Sequence, residues 1–183
     1  MIETKRLYLD YAKESDIEEI MKLEDHKDNR DFVWKGTYEE HKKEIESKDF
    51  LLYVIKEKVR VETAGFALIH LDNKSEKFEL RRFVISSKGI GYGKEVINAL
   101  FKLAFEELNM NRFWLDVYPD NHVGIKLYES AGMHRDGVLR QNFKSERGYL
   151  DQVIYSMLKS EYFKNYKKDF NEDNNVLFNN VLY

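Results

Sequence analysis

A glycine-rich turn between a predicted strand and a predicted helix constrains this chain most. The turn Lys88–Gly93 follows the β-rich run Phe78–Ile85 and precedes a long stretch with apolar residues at helical spacing. Its alternating glycines are Gly89, Gly91 and Gly93. Glycines lack Cβ and tolerate positive φ, and the N-terminus of a helix offers unpaired N–H groups and a positive dipole end. The unit predicts a phosphate or pyrophosphate site, with Lys88 and Lys94 as supporting charges.

By itself, this turn is equally well explained as an ordinary connection, because short glycine patterns are frequent. Two commoner phosphate motifs are excluded by spacing. A P-loop ending at Gly93-Lys94 would need glycine where Lys88 stands and Ser or Thr where Glu95 stands. The dinucleotide fingerprint would need its third glycine at Lys94 or at Val96.

Composition favours one folded domain and excludes several classes of function. The 183 residues are 43% hydrophobic with a single proline, which is typical of a globular chain. The net charge of −3 gives no reason to expect nucleic acid or anionic membrane as a partner. No apolar run is long enough to span a bilayer and Met1–Asp10 does not read as a signal peptide, so we expect a cytoplasmic protein.

Cysteine and histidine usage bears on metals and covalent chemistry. There is no cysteine, which excludes thiolate ligands and a cysteine nucleophile. The five histidines lack the His-Glu-x-x-His spacing of a zinc site. We therefore expect no metal.

The hydrophobic patterns predict a mixed α+β fold. Alternating or β-rich runs predict these strands: Leu7–Tyr11, Phe50–Ile55, Ala64–Leu71, Phe78–Ile85, Phe113–Val117, Val138–Phe143 and Tyr149–Leu158. Capping boxes at Ser15/Glu18 and Thr37/Glu40 predict two helices between the first two strands. Asn121 predicts the N-cap of a short helix reaching about Ser130. We expect one domain over residues 1–168 and a mobile, Asn-rich tail over residues 169–183.

Two segments together resemble the GNAT superfamily of N-acetyltransferases. Lys88–Gly93 is similar to that family's pyrophosphate loop, which has Gln or Arg, two residues, Gly, one residue, then Gly or Ala. Asn121–Met133, reading NHVGIKLYESAGM, resembles its second cofactor segment. The strand at Glu79–Arg82 and the hairpin at Gly148-Tyr149 are similar to the branch containing ribosomal-protein N-terminal and spermidine acetyltransferases. Lys88 departs from the usual Gln or Arg, and Met133 from the usual aromatic.

The resemblance implies a mixed, mostly antiparallel sheet flanked by helices, with acetyl-coenzyme A as co-substrate. It implies that the Tyr128 hydroxyl protonates the departing sulfur and that Asn121 bonds the pantetheine arm or the acceptor. The backbone before the turn would contact the pantetheine: Phe83, Val84 and Ile85. Glu79 is a candidate to take the proton of the amine. For Tyr128, Asn121 and Glu79 the structural alternatives are a core tyrosine, a plain helix cap and a solvated glutamate.

The acceptor is predicted only in outline. In similar enzymes the loop between the first two helices recognises it, and here this loop contains Asp31 and Trp34, an acid and an aromatic that suit a cationic amine. A solvated loop with anchoring aromatics is the alternative. The resulting hypothesis is direct acetyl transfer to a primary amine of a small molecule, polyamine or protein N-terminus, and relatives make a homodimer plausible. The alternatives are a non-catalytic CoA-binding or regulatory domain and an unrelated phosphate-binding protein.

Overall fold

The computed structural model describes residues 1–60 and 62–165, which form one eight-stranded sheet flanked by helices. The strands are β1 Ile2–Glu3, β2 Leu7–Tyr11, β3 Phe50–Glu57, β4 Thr63–Asp72, β5 Lys77–Ile85, β6 Arg112–Val117, β7 His134–Ser145 and β8 Gly148–Leu158. The helices are α1 Ile17–Asp25, α2 Tyr38–Glu46, α3 Tyr92–Lys102 and α4 His122–Ser130, with a 3₁₀ turn at Glu14–Asp16 and a π turn at Leu103–Glu107. Residues 159–165 are also helical.

The strand order is β1-β2-β3-β4-β5-β6-β8-β7, and every neighbouring pair is antiparallel except β5 with β6. The mixed, mostly antiparallel α+β prediction is confirmed. The capping box at Thr37 is also confirmed, since Glu40 N donates to its hydroxyl at 3.3 Å and Thr37 N donates to Glu40 Oε2 at 2.8 Å.

Two local predictions need correction. The box predicted at Ser15 and Glu18 is wrong, because the chain enters α1 through the 3₁₀ turn and Asp16 Oδ2 accepts from Lys13 N at 2.8 Å. Strand β1 was not predicted, since two residues are too few to show a period. The predicted tail, residues 169–183, lies outside the described residues. Within the described part of the chain, no helix combines the length and apolarity needed to cross a bilayer.

The sheet buries a separate apolar cluster on each face. One face packs on α3 and α4 through the larger cluster, which includes Leu9, Phe78, Ile97, Leu100 and Phe113. The other face packs on α1 through a smaller cluster that includes Ile20, Leu52, Phe66, Leu68 and Val84. Alternation along the strands sends successive side chains to opposite faces, so each helix layer receives one set.

The feature that matters for a site is the early separation of β5 from β6. The two strands pair only through Lys77–Glu79 and Arg112–Trp114. Leu68 of β4 lies opposite Arg82 while Ile69 lies opposite Leu80, so Arg81 is an extra, bulged residue. A bulge bends its strand and increases the local twist. The rest of β5 therefore leaves β6 and exposes an edge inside the protein.

Candidate active site

A cleft of about 750 Å³ occupies the opening between β5 and β6. The glycine turn and the start of α3 form one end, and α4 forms a side. The loop between α1 and α2 runs from the glycine turn, which it contacts at Asp28, to Trp34, and together with the β7–β8 hairpin it completes the lining. Clefts of 300–1,000 Å³ are typical of sites for small molecules and cofactors.

The three glycines of the turn serve two purposes. Gly89 and Gly91 adopt φ of +82° and +86°, a left-handed conformation that favours glycine. A Cβ on Gly89 would meet nothing within 4 Å, so its neighbourhood is open. Gly93 is different, because a Cβ there would lie 3.0 Å from Leu127 Cδ2. Its missing side chain lets α3 pack closely on α4.

The start of α3 presents the donors of an anion site. Gly91 is its N-cap, and the first bond into the helix runs from Glu95 N to Gly91 O at 3.2 Å. The N–H groups of the first turn therefore have no intrahelical partner, and they line the cleft together with Lys94. Lys88 also lines the cleft, and its Nζ donates to the carbonyl of Asp28 at 2.8 Å.

Arg6, just before β2, bonds both the glycine turn and the first turn of α3. Its Nη1 donates to Ile90 O at 2.8 Å, and its Nε donates to Glu95 Oε2 at 2.7 Å. Glu95 Oε1 accepts from Thr4 Oγ1 at 2.6 Å. These bonds tie the glycine turn and the first turn of α3 to the segment before β2.

The last three residues of β5 differ in the direction of their backbone N–H and C=O groups. Ser86 N donates to Ala64 O at 2.8 Å, and antiparallel neighbours alternate in the direction of their backbone groups. Val84 therefore directs its N–H and C=O towards β4. Phe83 and Ile85 direct theirs towards the cleft, where all three residues contribute to the lining. The prediction treated the three alike, but only Phe83 and Ile85 offer cleft-facing backbone groups.

Helix α4 brings Asn121 and Tyr128 to the cleft. Asn121 Oδ1 accepts from Gly124 N at 2.9 Å, so the side chain caps the helix. Tyr128 is 8% exposed, and its ring lies 6.2 Å from that of Tyr155. Burial raises the pKa of Tyr128, and the Asp116 charge adds to that shift. The hydroxyl therefore stays protonated and can act as a proton donor.

Two carboxylates, Glu79 and Asp116, line the cleft where β5 and β6 separate. Glu79 Oε2 lies 3.1 Å from His70 Nδ1, and Glu79 Oε1 lies 3.8 Å from Arg81 Nε. Asp116 was not predicted as a site residue, yet it lines the cleft and accepts a hydrogen bond from Gln152 Nε2. Burial raises the pKa of Asp116, and the Glu79 charge raises it further. The cleft therefore holds two acids in unlike surroundings.

The predicted acceptor residues are separated by the structure. Trp34 lines the cleft and lies over the Arg82 guanidinium, 5.1 Å from its carbon to the ring centre. Asp31 is not among the lining residues. Its carbonyl accepts from Arg147 Nη2 at 2.7 Å, and Arg147 Nη1 donates to Asp120 at 2.7 Å. Arg147 thus ties the β7–β8 turn to the loop that carries Trp34.

A buried ionic cluster, Glu24, His41, Glu44 and Arg82, anchors that loop. Glu24 accepts from Arg82 Nη1 at 2.7 Å and lies 3.2 Å from His41 Nε2. Gly36 N donates to Glu24 at 3.0 Å. Burial lowers the pKa of His41, but hydrogen bonds to Glu24 and Glu44 outweigh it and raise the pKa to about 9. His41 is therefore charged at neutral pH, and the cluster is balanced.

The described residues contain no group of three or more His, Cys, Asp and Glu side chains arranged to hold a metal ion.

Comparison with known proteins identifies the family. Residues 6–134 match the acetyltransferase (GNAT) domain. The chain belongs to this family.

Curated N-acetyltransferases are similar to this chain over part of their length. An uncharacterized N-acetyltransferase p20 of Bacillus licheniformis is 32% identical over 102 residues, covering 55% of this chain and 56% of that protein. A spermine/spermidine N(1)-acetyltransferase of Bacillus subtilis is 33% identical over 86 residues, covering 43% of this chain and 57% of that protein. The chain spans about half the length of the curated relatives it matches.

Solved structures share the fold. A spermidine N-acetyltransferase of Vibrio cholerae, in complex with CoA and spermine, superposes with a TM-score of 0.75 at 20% identity, covering 86% of this chain and 98% of that one. A GNAT-family acetyltransferase of Bacillus anthracis gives a TM-score of 0.74 at 19% identity, covering 87% and 99%.

Proposed function

We propose that the chain is an N-acetyltransferase that moves an acetyl group from acetyl-CoA to a primary amine by direct attack in a ternary complex. One observation carries the proposal: the same cleft joins an anion cradle at the start of α3, an open strand edge on β5, and the buried hydroxyl of Tyr128. Membership of the GNAT family supports it.

The cofactor end of the cleft fits coenzyme A. A pyrophosphate would bind the N–H groups of the cradle at Gly89, Gly91 and Gly93, with Lys88 and Lys94 supplying charge. An amide-bearing pantetheine arm would add to the β5 edge through the backbone of Phe83 and Ile85, as an extra strand does. The Nδ2 of Asn121 is available because its Oδ1 caps α4. When bound, acetyl-CoA supplies an activated acetyl thioester.

The chain's residues handle the protons. Tyr128 gives its proton to the thiolate, and its raised pKa keeps the hydroxyl protonated until that step. A cleft carboxylate, Glu79 or Asp116, receives the proton that the amine loses. The two acids of the cleft, Glu79 and Asp116, favour a cationic acceptor such as a small amine, a polyamine or a peptide N-terminus. Asp31 stays part of the proposed acceptor loop. A homodimer and a cytoplasmic location remain predictions.

The test combines binding with turnover. Wild type is incubated with acetyl-CoA and a panel of primary amines (benzylamine, 1,4-diaminobutane and an alanyl dipeptide), and thiol release is measured. Tyr128→Phe should lower kcat about 100-fold or more while calorimetry shows CoA binding unchanged, because only the donated proton is removed. Full activity in this variant would contradict the acid role. Acetyl-CoA binding without acetylation of any amine would favour the non-catalytic CoA-binding domain.

A further inference from the structure

The acceptor end contains a chain of hydrogen bonds that ends on Asp116. Asn142 Nδ2 donates to Gln152 Oε1 at 2.5 Å, and Gln152 Nε2 donates to Asp116 Oδ2. All three side chains line the cleft, and Gln152 is buried. In the described part of the chain no ion pair reaches the Asp116 carboxylate. Asp116 is half-buried, and Gln152 is the side chain that donates to it, so its lost solvation is compensated only in part.

Strand register places Asp116 beside Glu79. Glu79 pairs with Trp114, and Asp116 follows Trp114 by two residues, so both acids lie on one face of the sheet. Their strands part immediately after this pair. An amine that enters this opening would have one carboxylate on each strand, close enough together for the Glu79 charge to raise the pKa of Asp116. Asp116 also acts on Tyr128, since its charge contributes to the raised pKa of that hydroxyl.

The end of the hydrogen-bond chain lies in irregular backbone. Strand β7 has three residues between Leu139 and Phe143, where β8 has only Asp151 between their partners. Gln141 adopts φ of +51°, and its N–H donates to Asp151 Oδ1 at 2.8 Å. Left-handed backbone at a residue other than glycine is unfavourable and concentrates at functional sites. This bulge is what brings Asn142 to Gln152.

We propose that Asp116 is the catalytic base, that Gln152 and Asn142 position it, and that Glu79 holds the amine. This inference rests on the proposed function and adds to it a division of labour between the two acids. Glu79 already contacts His70 and Arg81 through its two oxygens, which suits an acid that holds the acceptor rather than one that reacts with it.

The proton steps balance for an amine that enters neutral. As the nitrogen forms its bond to the acetyl carbon, Asp116 receives one proton from it. As the carbon–sulfur bond breaks, the thiolate takes the proton of Tyr128. The Asp116 carboxyl then releases its proton to solvent and the Tyr128 oxygen takes one up from solvent, so both groups regain their starting forms.

The surroundings of Asp116 set the direction of the pH effect. Burial raises its pKa most, Glu79 from β5 raises it too, and the Gln152 bond and Arg81 from β5 lower it. Tyr128 on α4 senses the Asp116 charge, which adds to its raised pKa, and the hydroxyl stays neutral. A base must be deprotonated, so kcat should fall as the pH falls through this raised pKa.

The experiment compares wild type, Asp116→Asn, Glu79→Gln and Gln152→Leu with the best amine of the panel. Asp116→Asn should lower kcat about 100-fold or more and abolish the fall at low pH, with CoA binding unchanged by calorimetry. Glu79→Gln should mainly raise the KM for the amine. Gln152→Leu should move the fall to higher pH, because the carboxylate loses a donor that stabilises its charge. Asp136→Asn is the control, since this acid bonds Arg112 and His134 outside the cleft.

Carbon-13 NMR of protein labelled at aspartate carboxyls gives a readout free of turnover. One carboxyl should titrate above the usual range in wild type, vanish in Asp116→Asn and move upward in Gln152→Leu. If Asp116→Asn does not fold, Gln152→Leu decides by the same shift. An active wild type with an equally active Asp116→Asn, or loss of the low-pH fall in Glu79→Gln instead, overturns the assignment and leaves the proposed function intact. A wild type that acetylates no amine overturns both.

Discussion

Replacing Glu24 by Gln tests the buried cluster that anchors the acceptor loop. Glu24 accepts from Arg82, Gly36 and His41 at 2.7, 3.0 and 3.2 Å. With Glu44 it balances the charges of Arg82 and His41, so the substitution leaves one excess positive charge. Removing one partner of a buried ion pair costs about 3–5 kcal/mol. His41 can relieve the excess by releasing its proton, which favours the lower value.

We therefore expect Glu24→Gln to lose about 3 kcal/mol of the free energy of unfolding. For a chain of this size that corresponds to a melting temperature lower by roughly 6–12 °C. The measurement is urea and thermal unfolding at pH 6.5. The matched control is Glu19→Gln on the same helix, where the exposed pair with Lys22 at 3.6 Å should change stability by less than about 0.5 kcal/mol.

The same cluster predicts how stability depends on pH. The pKa of His41 rises from 6.5 to about 9 on folding, so its contribution is complete below pH 6.5 and is lost as the pH rises through 9. The shift corresponds to about 3 kcal/mol. Glu24→Gln removes one of the two supporting carboxylates and should flatten the decline in stability between pH 6.5 and 9. A loss below about 1 kcal/mol, or an unchanged pH dependence, would refute the reasoning.

Two further predictions concern the two ends of the cleft. Gly91→Ala should weaken CoA binding measured by calorimetry, because φ of +86° is strained for alanine. Gly137→Ala is the control and should not weaken it, since a Cβ there meets nothing within 4 Å. Equal affinities of the two variants would count against the anion site at the glycine turn. Arg147→Ala should raise the KM for the amine and leave CoA binding unchanged, because the β7–β8 turn loses its bonds to Asp31 and Asp120. An unchanged KM in steady-state kinetics would show that these bonds do not position the acceptor loop.

Much of the fold was accessible from sequence because its signals are local. Thr37 with Glu40, and Asn121 before α4, are caps that act within three residues. The alternating runs gave β2 to β6 within a few residues of their observed ends. The cap at Ser15 failed because Asp16 makes the competing bond one residue further on, and sequence does not rank such neighbours.

In the candidate site, too, the features with local signals were predictable from sequence and those that depend on distant pairing were not. The cradle was visible because Gly89 and Gly91 are required by their own backbone angles. Asp116 and Gln152 were missed because they are ordinary residues on predicted strands, and only the pairing of β6 with β8 brings them together. The buried roles of Glu24 and His41 were equally hidden, since exposed helix faces carry the same residue types.

This division also explains why the acceptor is harder to infer than the cofactor. The cofactor end uses backbone groups, so its requirements appear as glycines and as a strand followed by a helix. The acceptor end uses side chains from β5, β6, β8 and the loop after α1, and their arrangement depends on one bulge at Arg81 that separates β5 from β6. Without that bulge β5 would continue along β6, with Arg81 opposite Asp116, and the opening beside Glu79 would be closed. Acceptor choice should therefore respond to changes around Arg81 and in the β7 bulge more than to changes in the cradle.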